Sequence, residues 1–257
     1  DPTVRTPSVD IINAWSGVVP FDAYAQHPEM LARLYNLTDA VSQSIYAETW
    51  SERLRAALER TATLREVLAG VELRTEFATE THMAKQLEQV SRIVAARDEL
   101  GSEHDVFFVE IGGFDTHSDA GPRLAELLDD IDGAIGSFVD EMRARDLWKN
   151  VTLVTASDFG RTLVYNGRGT DHSWGGNHIT MGGKVRGGQM LGHFPSLDLD
   201  ASPLILDPRR GSLIPTTPWE GIWKPIGQWF GLSDASLLEV MPNLANFPPS
   251  MVPSVDA

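Results

Sequence analysis

Two short apolar runs flanking one long amphipathic stretch constrain this chain more than any other feature. The first, Asp105-Val-Phe-Phe-Val-Glu-Ile111, stops at Gly112-Gly113, and the second is Asn150-Val-Thr-Leu-Val-Thr-Ala156. Runs this short and this rich in Val, Phe and Ile suit buried strands. Between them Leu124, Leu127, Leu128, Ile131, Ile135, Phe138, Val139 and Met142 recur at three- and four-residue spacing. That periodicity predicts a helix from about Pro122, in its first turn, to Asp146. Strand, helix, strand predicts a βαβ unit with parallel strands and a right-handed crossover. The fold class that follows is α/β, a mostly parallel sheet sandwiched by helices.

With 257 residues, 42% of them apolar, the chain is long enough to bury a real core, and 1–257 reads as one α/β domain. Within it, residues 1–100 are mainly an arm and helices, 101–195 hold the βαβ core and its loops, and 196–257 are loops and helices. Pro2, Pro7 and Pro20 make residues 1–27 an irregular arm. From Pro28 the pattern is helical: Leu31, Leu34, Val41 and Ile45, then Leu54, Leu58, Leu64 and Leu68, then Met83, Leu87, Val90 and Val94 each define an apolar face. Glycine-rich loops run from Gly160 to Gly192 around a predicted strand at His178-Ile-Thr-Met181. A helix is predicted over 218–231, a short one near Ala235, and a tail carries Pro248, Pro249 and Pro253.

The 36 acidic and 21 basic residues give a formal charge of −15, which repels phosphate backbones and argues against a nucleic-acid surface. No run approaches the roughly 20 apolar residues of a membrane helix. The sequence opens at Asp1 without a basic-then-apolar leader, as a processed product or fragment would. Without cysteine there is no disulfide and no thiolate metal site, so any metal must be held by His, carboxylate and other oxygen ligands. Asn36-Leu-Thr38 and Asn150-Val-Thr152 are acceptor sequons for N-glycosylation and tilt the expectation toward a secreted, extracellular glycoprotein.

Parallel strands would bring the loops after Ile111 and after Ala156 to one edge of the sheet, where open α/β folds place ligands. Asp115 and His117 lie on the first loop and Asp158 on the second, while His117, His172, His178 and His193 are four of the seven histidines. Carboxylates converging with neutral imidazoles suit a divalent cation such as zinc, calcium or magnesium. Asp115-Thr116 also fits a helix-capping turn, and Ser157-Asp158 a second cap. His178 and His193 sit beside apolar residues and fit packed or exposed histidines equally well. Arg161 has the planar fork that suits a phosphate or sulfate, or a neighbouring carboxylate. Lys184 and Arg186 read as solvated surface residues, and Trp219, Trp223, Trp229 and Phe230 as packing at near-helical spacing.

Several segments resemble the DUF1501 family. Gly113-Phe-Asp-Thr-His117 is similar to its G-W-D-T-H signature, Ser157-Asp-Phe-Gly-Arg-Thr162 to S-E-F-G-R-T, and Gly169-Thr-Asp-His-Ser-Trp-Gly175 to G-T-D-H-G-W-G. Met181-Gly-Gly-Lys-Val-Arg-Gly-Gly188, Ile214-Pro-Thr-Thr217 and Met241-Pro-Asn-Leu-Ala-Asn-Phe247 extend the resemblance over roughly residues 100 to 247, in order. The family is grouped with alkaline phosphatases, sulfatases and phosphonate hydrolases, whose site holds two metals near a Ser, Thr or Cys nucleophile. The resemblance implies that Asp115, His117 and His172 are ligands of one metal and that Asp158 stands at the second-metal aspartate. Where phosphatases continue Asp-His, this chain has Asp158-Phe159, so one imidazole of the second site is missing. No Gly-Gly-x-Asp segment opens the chain, and the first strand, first metal aspartate and nucleophile of that superfamily have no counterpart in it.

Two functions are therefore expected as alternatives. One is a metal-dependent hydrolase of anionic phosphate or sulfate esters; the other is a non-catalytic secreted protein that keeps the scaffold for binding or assembly. The sequence further predicts Asp115 and Asp158 within about 8 Å of each other, as in two-metal sites. It also predicts an exposed apolar sheet edge that another polypeptide, or a missing amino-terminal segment, covers.

Overall fold

In a computed structural model of the chain, residues 12–15, 17 and 28–251 are described, so most of the predicted arm and the end of the tail lie outside the described residues. The chain divides into two compact units, residues 1–111 with 130–145, and residues 112–129 with 146–257.

The first unit is helical: α1 (Pro28–Thr38), α2 (Ile45–Ala69), α3 (His82–Ala95), the single turn α4 (Arg97–Leu100), and residues 130–144 of α5 (Ala120–Ala144). Thr81 starts α3 as its N-cap, accepting from the Ala84 N–H at 3.2 Å, while its hydroxyl donates to Asp130. The predicted α3 face holds, with Met83, Leu87 and Val90 buried and Ile93 joining Leu68 and Ala96 in a core cluster. The first predicted face does not hold. α1 ends at Thr38 and α2 starts at Ile45, so Val41 falls in the connection and is 93% exposed, and Ile45 is 75% exposed.

α5 forms as its periodicity predicts and buries Ala134, Phe138 and Met142, together with the carboxylate of Glu141. That carboxylate accepts from the backbone N–H of Arg74 at 2.9 Å and of Thr75 at 2.7 Å, from the Thr75 hydroxyl at 2.8 Å and from Arg145 Nε at 2.5 Å. Burial opposes its charge, but the Arg74 N–H, Arg145 and Thr75 outweigh it and hold the carboxyl below the ordinary glutamate range. Glu141 thereby ties the segment after α2 to α5.

The predicted parallel sheet requires correction. Residues 105–111 form no strand: Val106 and Phe108 are 84% and 85% exposed. A strand needs a neighbour for its N–H and C=O groups, and none runs alongside this segment among the described residues. Instead the Gln86 side chain brackets Glu110, with Oε1 accepting from its N–H at 2.8 Å and Nε2 donating to its carbonyl at 2.6 Å.

The second predicted strand does form, as β1 (Thr152–Val154), but it pairs antiparallel with β4 (Thr180–Gly182), Leu153 opposite Met181. Antiparallel pairing needs no crossover helix, so no βαβ unit is present among the described residues. The remaining strands, β2 (Gly160–Arg161) and β3 (His172–Ser173), form a separate two-stranded antiparallel pair. The second unit therefore combines small antiparallel sheets with helices α6 (Glu220–Trp229) and α7 (Asp234–Val240). Among the described residues, no helix is long and apolar enough to cross a membrane.

Candidate metal centre

The β2–β3 hairpin, rather than a parallel sheet edge, assembles the site. Its ladder sets Arg161 opposite His172 and continues through the Thr162 N–H to the Asp171 carbonyl at 2.9 Å. The loop between the strands then passes so close to residues 116 and 117 that only glycine fits at 169. A Cβ there would lie 2.1 Å from the Thr116 carbonyl oxygen and 2.8 Å from the His117 carbonyl carbon. This approach carries His172 to the loop that bears Asp115 and His117.

Arg161 fastens the two loops. Its Nη1 donates to Asp115 Oδ1 at 3.2 Å, its Nη2 to the Thr116 carbonyl at 2.9 Å and to the Thr170 carbonyl, and its Nε to the Thr170 hydroxyl at 2.9 Å. Most of its donors are therefore directed at the protein.

Asp115 Oδ1 lies 2.6 Å from His172 Nε2 and 2.8 Å from His117 Nε2. The ligand atoms of Asp115, His117 and His172 all lie within 4.8 Å of one another, close enough to hold one metal ion. All three side chains are about half exposed, so the group opens to solvent. The His172 hydrogen bond, only partly opposed by desolvation and aided by Arg161, holds the Asp115 carboxyl below its ordinary range. A carboxylate that stays charged beside two imidazole nitrogens is the donor set that zinc and related divalent ions favour.

Asp158 is exposed and is not part of this three-residue group. Its neighbour Phe159 touches the group from outside, with its ring stacked on His172 at a centroid distance of 4.0 Å. His178 packs instead against Trp219, and burial lowers its pKa, while His193 is exposed. Sequence reasoning overlooked Asp171, whose Oδ1 is 3.4 Å from His117 Nδ1 and whose Oδ2 accepts from Arg210 at 2.7 Å. The signal was present in its position immediately before His172 in Gly169-Thr-Asp-His.

Small antiparallel sheets, helices and an open carboxylate–imidazole group define a mixed α-and-β protein with a candidate metal centre. The sequence profile of DUF1501, a family described as a protein of unknown function, matches residues 17–204, and the chain belongs to this family. No curated protein and no solved structure matches it.

Proposed function

We propose that the chain binds one divalent cation through Asp115, His117 and His172 and serves the hydrolysis of anionic esters, phosphate or sulfate. The observation that supports this reading is the convergence of one carboxylate oxygen and two imidazole nitrogens within 4.8 Å on a half-exposed surface. A divalent ion held there would supply a Lewis acid to an ester oxygen and lower the pKa of a bound water. Asp115 contributes the negative charge and the two histidines contribute lone pairs. Arg161 positions Asp115 and keeps a cationic group beside the place where an anionic oxygen would arrive. Asp158 would take part only with a second cation, and Phe159 stands where that second cation would need an imidazole. The proposed stoichiometry is therefore one metal per chain.

A second reading, a non-catalytic binding or assembly protein acting outside the cell, is favoured by the solvent-facing Val106-Phe107-Phe108 segment, whose backbone is unpaired among the described residues. In this reading another polypeptide covers that segment. Metal analysis separates the outcomes. His172→Ala is expected to remove most bound zinc, and His193→Ala to leave it unchanged; equal zinc in both variants would overturn the metal assignment. If zinc is retained but aryl phosphate and aryl sulfate esters are not turned over, the binding reading replaces the hydrolase.

A further inference from the structure

We infer that Asp171 is the positioning residue of the metal centre, fixing which nitrogen of His117 faces the cation. The inference rests on the metal reading above and concerns a residue that does not itself reach the ligand group. His117 lies between two carboxylates: Nε2 is 2.8 Å from Asp115 Oδ1, and Nδ1 is 3.4 Å from Asp171 Oδ1, an ion-pair contact within one small ring rotation of a hydrogen bond. Metal-binding imidazoles commonly donate their second N–H to a carboxylate, which fixes the tautomer and the ring orientation. Asp171 is the carboxylate on that second nitrogen. A proton held on Nδ1 by the Asp171 carboxylate would leave the Nε2 lone pair for the cation shared with Asp115 and His172.

Asp171 is itself held from three sides. Arg210 Nη2 donates to Oδ2 at 2.7 Å and Asn166 Nδ2 to Oδ1 at 3.2 Å. Its backbone N–H donates to the Thr162 hydroxyl at 3.0 Å. Arg210 is in turn placed by its own carbonyl, which accepts from the Val164 N–H at 3.2 Å. The segment around Arg210 thus reaches the metal centre through Asp171 and His117 without contributing a ligand. It also explains the Asp-His pair at 171–172, because His172 reaches Asp115 while the preceding side chain supports His117.

Zinc titration calorimetry on the whole chain tests this, together with the His117 Nδ1–H proton resonance of the zinc-loaded protein. Asp171→Ala is expected to weaken zinc binding by about 10- to 100-fold and to lose that resonance. Asp171→Asn keeps an acceptor oxygen and is expected to retain the resonance with an intermediate affinity. Arg210 is 58% exposed, so losing its partner leaves a solvated guanidinium and the variants should fold. Zinc affinity and the resonance unchanged in Asp171→Ala would overturn the role of Asp171 while leaving the centre intact. Failure of the unsubstituted chain to bind zinc would remove both.

Discussion

Phe159 lies flat against the imidazole of His172, with ring centroids 4.0 Å apart and planes 5° from parallel. The same ring has the Arg161 guanidinium 5.7 Å from its centroid, so one aromatic side chain touches both a candidate ligand and the residue that positions Asp115. Stacked pairs of this kind contribute about 1 kcal/mol. Phe159→Ala is therefore expected to weaken zinc binding by roughly five-fold, the equivalent of that energy. Calorimetry checks it, and an unchanged dissociation constant would show that the stacking does not orient His172.

Gly169→Ala should be more damaging than its size suggests. The added methyl would meet the Thr116 carbonyl at 2.1 Å, and backbone on both sides must separate to admit it. We expect a loss of about 1–3 kcal/mol in stability, as for other overpacked contacts, with zinc affinity falling in parallel because the two ligand-bearing loops part. Thermal unfolding with and without zinc measures both effects. Parental values for the two would contradict the close approach.

Glu141 predicts an acid sensitivity. Its folded pKa is depressed below the ordinary glutamate value, so the stability it contributes is fully present above about pH 4.3, the unfolded value. It is lost as pH falls through the depressed folded value. Glu141→Ala should cost about 3 kcal/mol at neutral pH, because Arg145 and two backbone N–H groups lose a buried acceptor. The variant should also show a shallower fall in melting temperature between about pH 5 and pH 2. A parallel pH profile in the two proteins would show that Glu141 is not the titrating group.

The parts legible in the sequence are those that depend on neighbours in sequence. The faces of α3 and α5 follow from three- and four-residue spacing, and Met83, Leu87, Phe138 and Met142 are buried as that spacing requires. The grouping of Asp115, His117 and His172 follows from the DUF1501-like motifs that carry them, since residue type suits a divalent cation but does not by itself set His172 apart from the other histidines. What failed depends on partners distant in sequence. Phe107 and Phe108 carry the composition of a strand, but composition does not supply a neighbouring backbone, and β1 found its partner in β4 instead. Asp158, expected at a second metal by resemblance, lies outside the three-residue group that the hairpin assembles. The sequence position of Asp171 beside His172 marks it as a candidate, but its approach to His117 Nδ1 depends on a contact across a loop that spacing alone does not give.

The bracket that Gln86 places around Glu110 has a further consequence. An amide side chain that donates to a carbonyl and accepts from the N–H of the same residue satisfies the two groups a neighbouring strand would satisfy. It anchors the segment at Glu110 while the backbone of residues 106 to 109 stays unpaired among the described residues. Docking a strand there would meet a chain already fixed at one end, so less conformational entropy is lost on association. Self-pairing of two copies about the Phe107–Phe108 centre would set Asp105 against Glu110, a like-charge pair that disfavours it. The acidic ends of the segment thus disfavour its pairing with the chain's own copy.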